Sequence, residues 1–513
     1  MNKINRFIYN FILLLTIQLF GQTVVPEEGL ESITPQELKV HVYFLASDSM
    51  KGRDTPSHEL DSCAAYIASE FESYGLGTEH HYQRFNLLRS RLSSPNLLTI
   101  STPDGYKEYK IKYDFVPLRT TANKRIEDRI VVFAGYGITA PEYGYDDYAG
   151  IDVVGKVVLV FTGEPQEDDS TSVFEGRRDT EYSMVLTKVM NASDHGAAGL
   201  LIVTKPDKRF LRPPNYWPSL MRKRPKGAVP LTLDENTGSR VVCMRIGRKA
   251  AEDVFKYSGT NMKEVFELID QTLIPHSFDI DSITVTMQTT LVADTLHTQN
   301  VFGLWEGCDP ELKNEFVIIG AHYDHIGIVN GEICNGADDN ASGTAGLMEI
   351  AEAFTKCRRR PRRSILFIAF SGEEKGLFGS RYYVNHPLFP LKKSVAMLNL
   401  DMISRNDTNE VAIIGSFTSS FLRKSVEEAN TGIGMKLLYD QDRYFIQSDH
   451  YSFYRKGIPV ILFNSKDTPD LHRPTDDPEK TIPEKMARIS KLVFSTAWLV
   501  ANRTERPDFI KSR

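Results

Sequence analysis

The chain has 513 residues, 41% hydrophobic and 25% charged, an ordinary balance for a folded protein and a length beyond what one hydrophobic core organises. Its formal net charge of −6 argues against nucleic acid or an anionic membrane as a main partner. The five cysteines, Cys63, Cys243, Cys308, Cys334 and Cys357, contain no C-x-x-C pair, which excludes a cysteine-rich zinc cluster and leaves them to be read as small hydrophobes.

Lys3 and Arg6 precede an apolar run from Phe11 to Phe20 that ends at Gly21 and Gln22. The run is too short to span a bilayer and has the layout of a signal peptide over residues 1–22, so a periplasmic or secreted protein is expected. No later run of 18 apolar residues follows, and no membrane span is expected. From Thr34 to Tyr74 the pattern is helical: Pro35 suits an early helical position, and Leu38, Val42 and Leu45, then Ala64, Ile67, Ala68 and Phe71, recur at helical spacing. Strand-like stretches begin at Asn96–Ile100.

Near residue 125 the texture changes to short β-branched runs, Arg129–Phe133 and Lys156–Phe161, among Gly135, Gly137, Gly144, Gly150 and Gly155. His195–Val203 is expected to hold a buried strand, and the Pro-rich basic stretch from Arg212 to Lys226 an exposed loop. These features mark an inserted mixed domain at 125–285, between the segments 23–124 and 286–513 of another domain. From about residue 298 strands alternate with helices: Phe316–Ala321, Ile365–Phe370, Val395–Leu400 and Pro459–Phe463 are apolar runs, and Ala345–Phe354 is helical. The expected fold is α/β, a mixed, mostly buried sheet flanked by helices. Basic Lys356–Arg363 is expected to close a helix as a solvated end.

Each of the four apolar strands runs into polar residues: His322 and Asp324, Glu373 and Glu374, Asp401, and a loop holding His472. Ligands of open α/β sheets bind at the carboxyl ends of strands, so the four endpoints converge on one site. Asp338, Asp339, Glu373, Glu374 and Asp401 crowded there require protons or cations, and with two imidazoles the donor set suits zinc or a similar divalent ion.

The segments G-A-H-Y-D (320–324), G-A-D-D-N-A-S-G (336–343), S-G-E-E-K-G-L-F-G-S (371–380), L-N-L-D-M (398–402), S-D-H (448–450) and L-H-R-P-T-D-D (471–477) resemble the co-catalytic di-zinc aminopeptidases, metallopeptidase family M-twenty-eight. Residues 34–85, including Met50-Lys-Gly-Arg53, resemble the start of the same zinc-exopeptidase domain, and the insert resembles a protease-associated domain. The resemblance implies two Zn²⁺ per chain. Asp339 would bridge them, Glu374 and His472 would complete one set of ligands, and His322 and Asp401 the other. Glu373 would be the general base. Asp324, two residues past His322 on an extended backbone, can orient the imidazole. Asp449 and His450 carry no metal in this reading. Leu471 and Phe445 stand where some relatives have an oxyanion-stabilising Tyr, with Tyr444 one residue away. The activity implied is removal of residues from peptide N-termini, with peptides or proteins bearing a free N-terminus as substrates. A glutaminyl cyclase or carboxypeptidase on this scaffold, and a non-catalytic protein of the transferrin-receptor type, are the alternatives.

Overall fold

A computed structural model describes residues 24–77, 81–140, 143–176, 179–208, 217, 231–234 and 241–510. The expected signal peptide lies outside the described residues. Among those described, no helix is long and apolar enough to cross a membrane.

The chain forms two compact units. One joins the residues up to Phe85 with those from His297 onward, and the other is Asn86–Leu296. The inserted unit is wider than 125–285 at both ends. Leu97–Thr102, expected in the first catalytic segment, instead pairs antiparallel with Ser277–Gln288, which itself pairs with Arg125–Ala134. Sheet pairing, not the local change in glycine content near 125, sets this boundary.

In the first unit a short helix, Glu27–Ser32, precedes helix α1 (Pro35–Leu45), where Pro35 occupies the first turn and the Thr34 hydroxyl accepts from Glu37 N. Helix α2 (His58–Ser73) is capped by Ser57 in the same way. The sheet strands include β1 (Leu291–Trp305, which enters this unit at His297), β2 (Phe316–His322), β3 (Ser364–Phe370), β4 (Ser394–Leu400), β5 (Glu410–Ile414), β6 (Lys436–Leu438) and β7 (Val460–Asn464). They lie in the order β1-β3-β2-β4-β7-β5-β6. The inner four, β3, β2, β4 and β7, are parallel, and β1 and β5 flank them antiparallel. Helices α3 (Gly343–Lys356), α4 (Phe378–Asn385), α5 (Ser420–Asn430), α6 (His450–Tyr454) and α7 (Pro483–Asn502) complete the unit.

Period-two alternation explains why the inner strands are apolar throughout. Val317, Ile319 and Ala321 of β2 and Ile365, Phe367 and Ala369 of β3 enter one core with α1, α2, α3 and α7. Ile318, Leu366, Ile368 and Phe370 face the opposite core, with Tyr383 of α4 and Phe453 of α6. A strand covered on both faces has no solvent side to leave polar. Each fully buried Ile or Phe stabilises the layers by about 1.5–3 kcal/mol, which holds the strand ends rigidly in place.

The basic segment that closes α3 is exposed as expected at Lys356 and at Arg358, Arg359 and Arg360, but its last residue is not. Arg363 is fully buried, its Nε bonded to Glu315 Oε2 at 2.8 Å and its Nη1 to Val500 O at 3.0 Å. Its guanidinium satisfies backbone carbonyls at the end of α7, a role that local charge density does not reveal.

The second unit is an eight-stranded mixed sheet with helices Val185–Asp194, Arg248–Phe255 and Met262–Thr272. The buried strand expected within His195–Val203 is Gly199–Val203, and His195 ends the preceding helix. Of the stretch 212–226 only Trp217 is described; it is buried, with its Nε1 donating to Pro117 O at 2.7 Å, so at that residue the expected exposed loop is not found. All five cysteines are free, and all except Cys308 are buried.

Candidate metal centre

The four parallel strands end side by side, and the residues that follow them meet. His322 closes β2, Glu373 and Glu374 follow β3 across Ser371 and Gly372, and Asp401 follows β4 directly. His472 stands in the loop after β7 in a left-handed conformation with φ 55°, and Asp339 lies in the irregular turn before α3.

Asp339 faces two ways. Its Oδ1 lies 3.4 Å from His322 Nε2, and that nitrogen lies 3.3 Å from Asp401 Oδ1. Its Oδ2 lies 3.1 Å from His472 Nε2, which is also 3.1 Å from Glu374 Oε2. One carboxylate thus stands between two separate His-carboxylate sets. Glu373 groups with His322 and Asp401, and its backbone N donates to Asp324 Oδ1 at 3.1 Å. Asp324 is placed beside His322 as expected, although its nearer atom to the imidazole Nδ1 is the backbone carbonyl, at 3.3 Å, and its carboxylate stands at 3.7 Å.

Other polar groups hold the loops. Asn340 donates to Leu400 O and its Oδ1 accepts from Gly343 N and Met402 N, tying the Asp339 turn to the loop of Asp401. Asp338 accepts from the backbone and hydroxyl of Ser404, so it joins two loops instead of facing the site. Asp476 accepts from Asp338 N and Asp339 N and lies four residues past His472.

Sequence reasoning missed His325. It is fully buried, with Nδ1 2.7 Å from Glu374 Oε1 and 3.7 Å from Asp339 Oδ2. The second histidine of His322-Tyr-Asp-His325 was the available signal. Among the described residues, neither His325 Nδ1 nor Glu374 Oε1 has a partner in hydrogen-bond geometry, although both are buried. Buried donors left in this way, beside mixed imidazole and carboxylate groups, fit a divalent cation. Tyr444 is engaged elsewhere, its hydroxyl donating to Asp467 Oδ2 at 2.8 Å.

The electrostatics reflect crowding. Burial, reinforced by the Glu374 charge, raises the Asp339 carboxyl, and burial with the charges of Glu374, Asp401 and Asp449 raises Glu373 far above the usual range. Burial pushes Asp324 up to about 6 and, with Asp476 beside it, Asp338 up to about 7. Hydrogen bonds to Asp339 and Glu374 raise His472 to about 10. Burial opposes the charged form of His322, but Asp401 and Glu373 outweigh it and hold the imidazole well above its ordinary value. Near neutral pH a cation entering here must therefore displace protons from carboxyl and imidazolium groups. The sign follows: zinc uptake should release protons, and apparent zinc affinity should fall as pH drops from 8 to 6. Calorimetric titrations in buffers of different ionisation enthalpy read this directly, and a binding heat independent of buffer would contradict it.

Residues 300–497 match the model described as peptidase family M28. That span holds every residue of the two sets. This part of the chain is similar to peptidase family M28. Over 205 residues the chain is 31% identical to a probable leucine aminopeptidase of Trichophyton verrucosum, covering 38% of this chain and 57% of that protein. Over 227 residues it is 29% identical to aminopeptidase YwaD of Bacillus subtilis, covering 42% and 48%. The chain thus spans about half the length of these curated relatives. Among solved structures, the aminopeptidase from Aneurinibacillus sp. strain AM-1 aligns over 94% of this chain and 97% of its own, at 22% identity and a TM-score of 0.49. Asp449 and His450, also buried within residues 300–497, are shifted too: burial raises Asp449 to about 7 and lowers His450 to about 3.

Proposed function

We propose that the chain is an exported zinc exopeptidase that holds two Zn²⁺ and cleaves single residues from the free N-termini of peptides. The observation that carries this reading is the placement of Asp339, with one oxygen toward His322 and Asp401 and the other toward His472 and Glu374. A donor set split in this way suits two neighbouring cations sharing one carboxylate, with His322, Asp339 and Asp401 holding one and His472, Asp339 and Glu374 the other. The aminopeptidase names of the relatives support the N-terminal specificity, and the basic start and apolar run before Gly21 support export.

When bound, the cations supply Lewis acidity, making water a stronger acid and the scissile carbonyl a better electrophile. The protein's own part is proton traffic and orientation. Glu373, a carboxyl whose proton affinity is raised by burial and by neighbouring acids, takes a proton from the attacking water and returns it to the departing amine. Asp324 fixes the His322 ring, and Asn340, Ser404 and Asp476 fix the loops of the acidic ligands.

A pair of peptides, one with a free amine and one N-acetylated, tests the specificity. Hydrolysis of the free peptide alone, abolished by a chelator and restored by zinc, is the expected result. Equal rates on both would reject the aminopeptidase assignment. Full activity at one zinc per chain would move the reading to a cyclase.

A further inference from the structure

Segment 48–55, between α1 and α2, lies outside the residues matched by the family model, yet it touches the loops that carry His322, Asp339 and Glu374. Arg53 is fully buried and, among the described residues, makes no ion pair. Instead its Nε donates to Tyr323 O at 2.8 Å, its Nη1 to Asn335 O at 2.8 Å and Leu45 O at 2.6 Å, and its Nη2 to Gly336 O at 2.9 Å. Tyr323 follows His322, and Gly336 stands three residues before Asp339. The segment's backbone is joined to the same loops, with His325 N donating to Arg53 O and Gly327 N to Gly52 O. Thr55 Oγ1 donates to Asp324 Oδ2 at 3.1 Å, and Asp54 pairs with Lys375 at 2.6 Å, next to Glu374.

The fit leaves no slack. A Cβ on Gly52, whose φ is +67°, would stand 2.2 Å from Cys334 O and 2.8 Å from Gly327 O. Arg53 itself is held at φ 49°, a left-handed conformation that a non-glycine residue keeps only where surrounding contacts impose it. A buried guanidinium is costly unless its donors are satisfied, and here four bonds to three separate stretches of main chain satisfy it. Lysine, a point charge with three donors on one atom, cannot span those carbonyls.

We infer that Arg53 is a positioning residue of the metal centre: its guanidinium fork sets the spacing between the loop of His322 and Asp324 and the turn of Asp339, and so sets how tightly the cations are held. This rests on the two-zinc reading. The carbonyls it binds belong to the neighbours of ligands, so its loss acts through them, as outer partners of metal ligands do at a typical cost of about 10–100-fold in affinity.

The test compares the full-length wild type, Arg53→Lys and Thr55→Val after complete chelation. Zinc affinity is measured by competition with a chromophoric chelator, and the visible absorption spectrum is recorded after loading with Co²⁺. For Arg53→Lys, which keeps the charge but not the fork, zinc affinity should fall about 10–100-fold and the Co²⁺ spectrum should change at full occupancy. Thr55→Val removes one hydroxyl from Asp324 at nearly constant volume and should shift the spectrum with a smaller loss of affinity. A purely structural role would lower the unfolding midpoint of the chelated protein and leave both metal readouts at wild-type values. Wild-type affinity and spectrum in a folded Arg53→Lys protein would overturn the inference. If that variant does not fold, an unchanged spectrum in Thr55→Val does so. Wild-type protein that takes up fewer than two ions would refute the two-zinc reading itself, separately from the role of Arg53.

Discussion

Glu373→Gln should retain both zinc ions and lose turnover by roughly 10²–10⁴-fold, whereas Glu374→Gln should lose metal first and activity in consequence. The two residues are adjacent and chemically identical, so the difference comes from where the backbone sends them. Glu374 Oε2 meets His472 at 3.1 Å and Oε1 meets His325 at 2.7 Å, and the two imidazoles hold its carboxyl well below the usual range against the cost of burial. Glu373 lies on the side of His322 and Asp401, with its carboxyl pushed the other way by burial and by three acidic neighbours. Glu374 is thus placed between two imidazoles as a ligand, and Glu373, on the other side with His322 and Asp401, is placed to act as the base. Gln preserves the shape of Glu but accepts no proton, so the first variant should show little change in KM and a large loss in kcat. Added zinc should partly restore Glu374→Gln and leave Glu373→Gln inactive. Metal content and turnover followed together during zinc titration decide the matter; metal loss in Glu373→Gln with retention in Glu374→Gln would exchange the two roles.

The second large effect concerns Asp339. Because its oxygens face different partners, Asp339→Asn should weaken both cation positions, whereas His472→Ala should weaken only the one it shares with Glu374. The expected metal content after dialysis against a weak chelator is close to zero for Asp339→Asn and close to one for His472→Ala. Loss of affinity in the aspartate variant should exceed the 10–100-fold typical of removing an outer partner, since an anionic donor is replaced by a neutral amide. If Asp339→Asn retained one tightly held ion, the carboxylate would serve a single position and the shared arrangement would be wrong.

The parts of this fold legible in the sequence are those written in local pattern. Continuous apolar runs located β2, β3, β4 and β7 to within a residue or two, because a doubly covered strand has no polar face to confuse the reading. His322, Asp339, Glu373, Glu374, Asp401 and His472 were each marked by a polar residue at or after such a strand or before a helix, and the structure gathers all six. What escaped depends on distant partners. The edge of the inserted unit is set by Leu97–Thr102 pairing with residues nearly two hundred positions later, which no window near 125 contains. The burial of Arg363 depends on carbonyls at the end of α7. Arg53 was seen only as part of a short motif, since its partners lie up to 283 residues away. His325 is masked in the sequence by its neighbour Asp324, which already gives His322 an orienting partner.

The separation between Arg53 and the carbonyls it binds bears on how the protein is made. The first catalytic segment leaves the ribosome carrying α1, α2 and the Arg53 strap, but the strands and loops that complete its core follow only after about 210 residues of the inserted unit. At synthesis rates of about 5–20 residues per second that interval is about 10–40 s, during which Leu38, Val42, Leu45, Ile67 and Phe71 have no sheet to pack against. The inserted unit, contiguous in sequence, can complete its own sheet in that time, whereas the metal-bearing unit closes last. Apolar faces left uncovered in this way are where a chaperone would act on the nascent N-terminal segment.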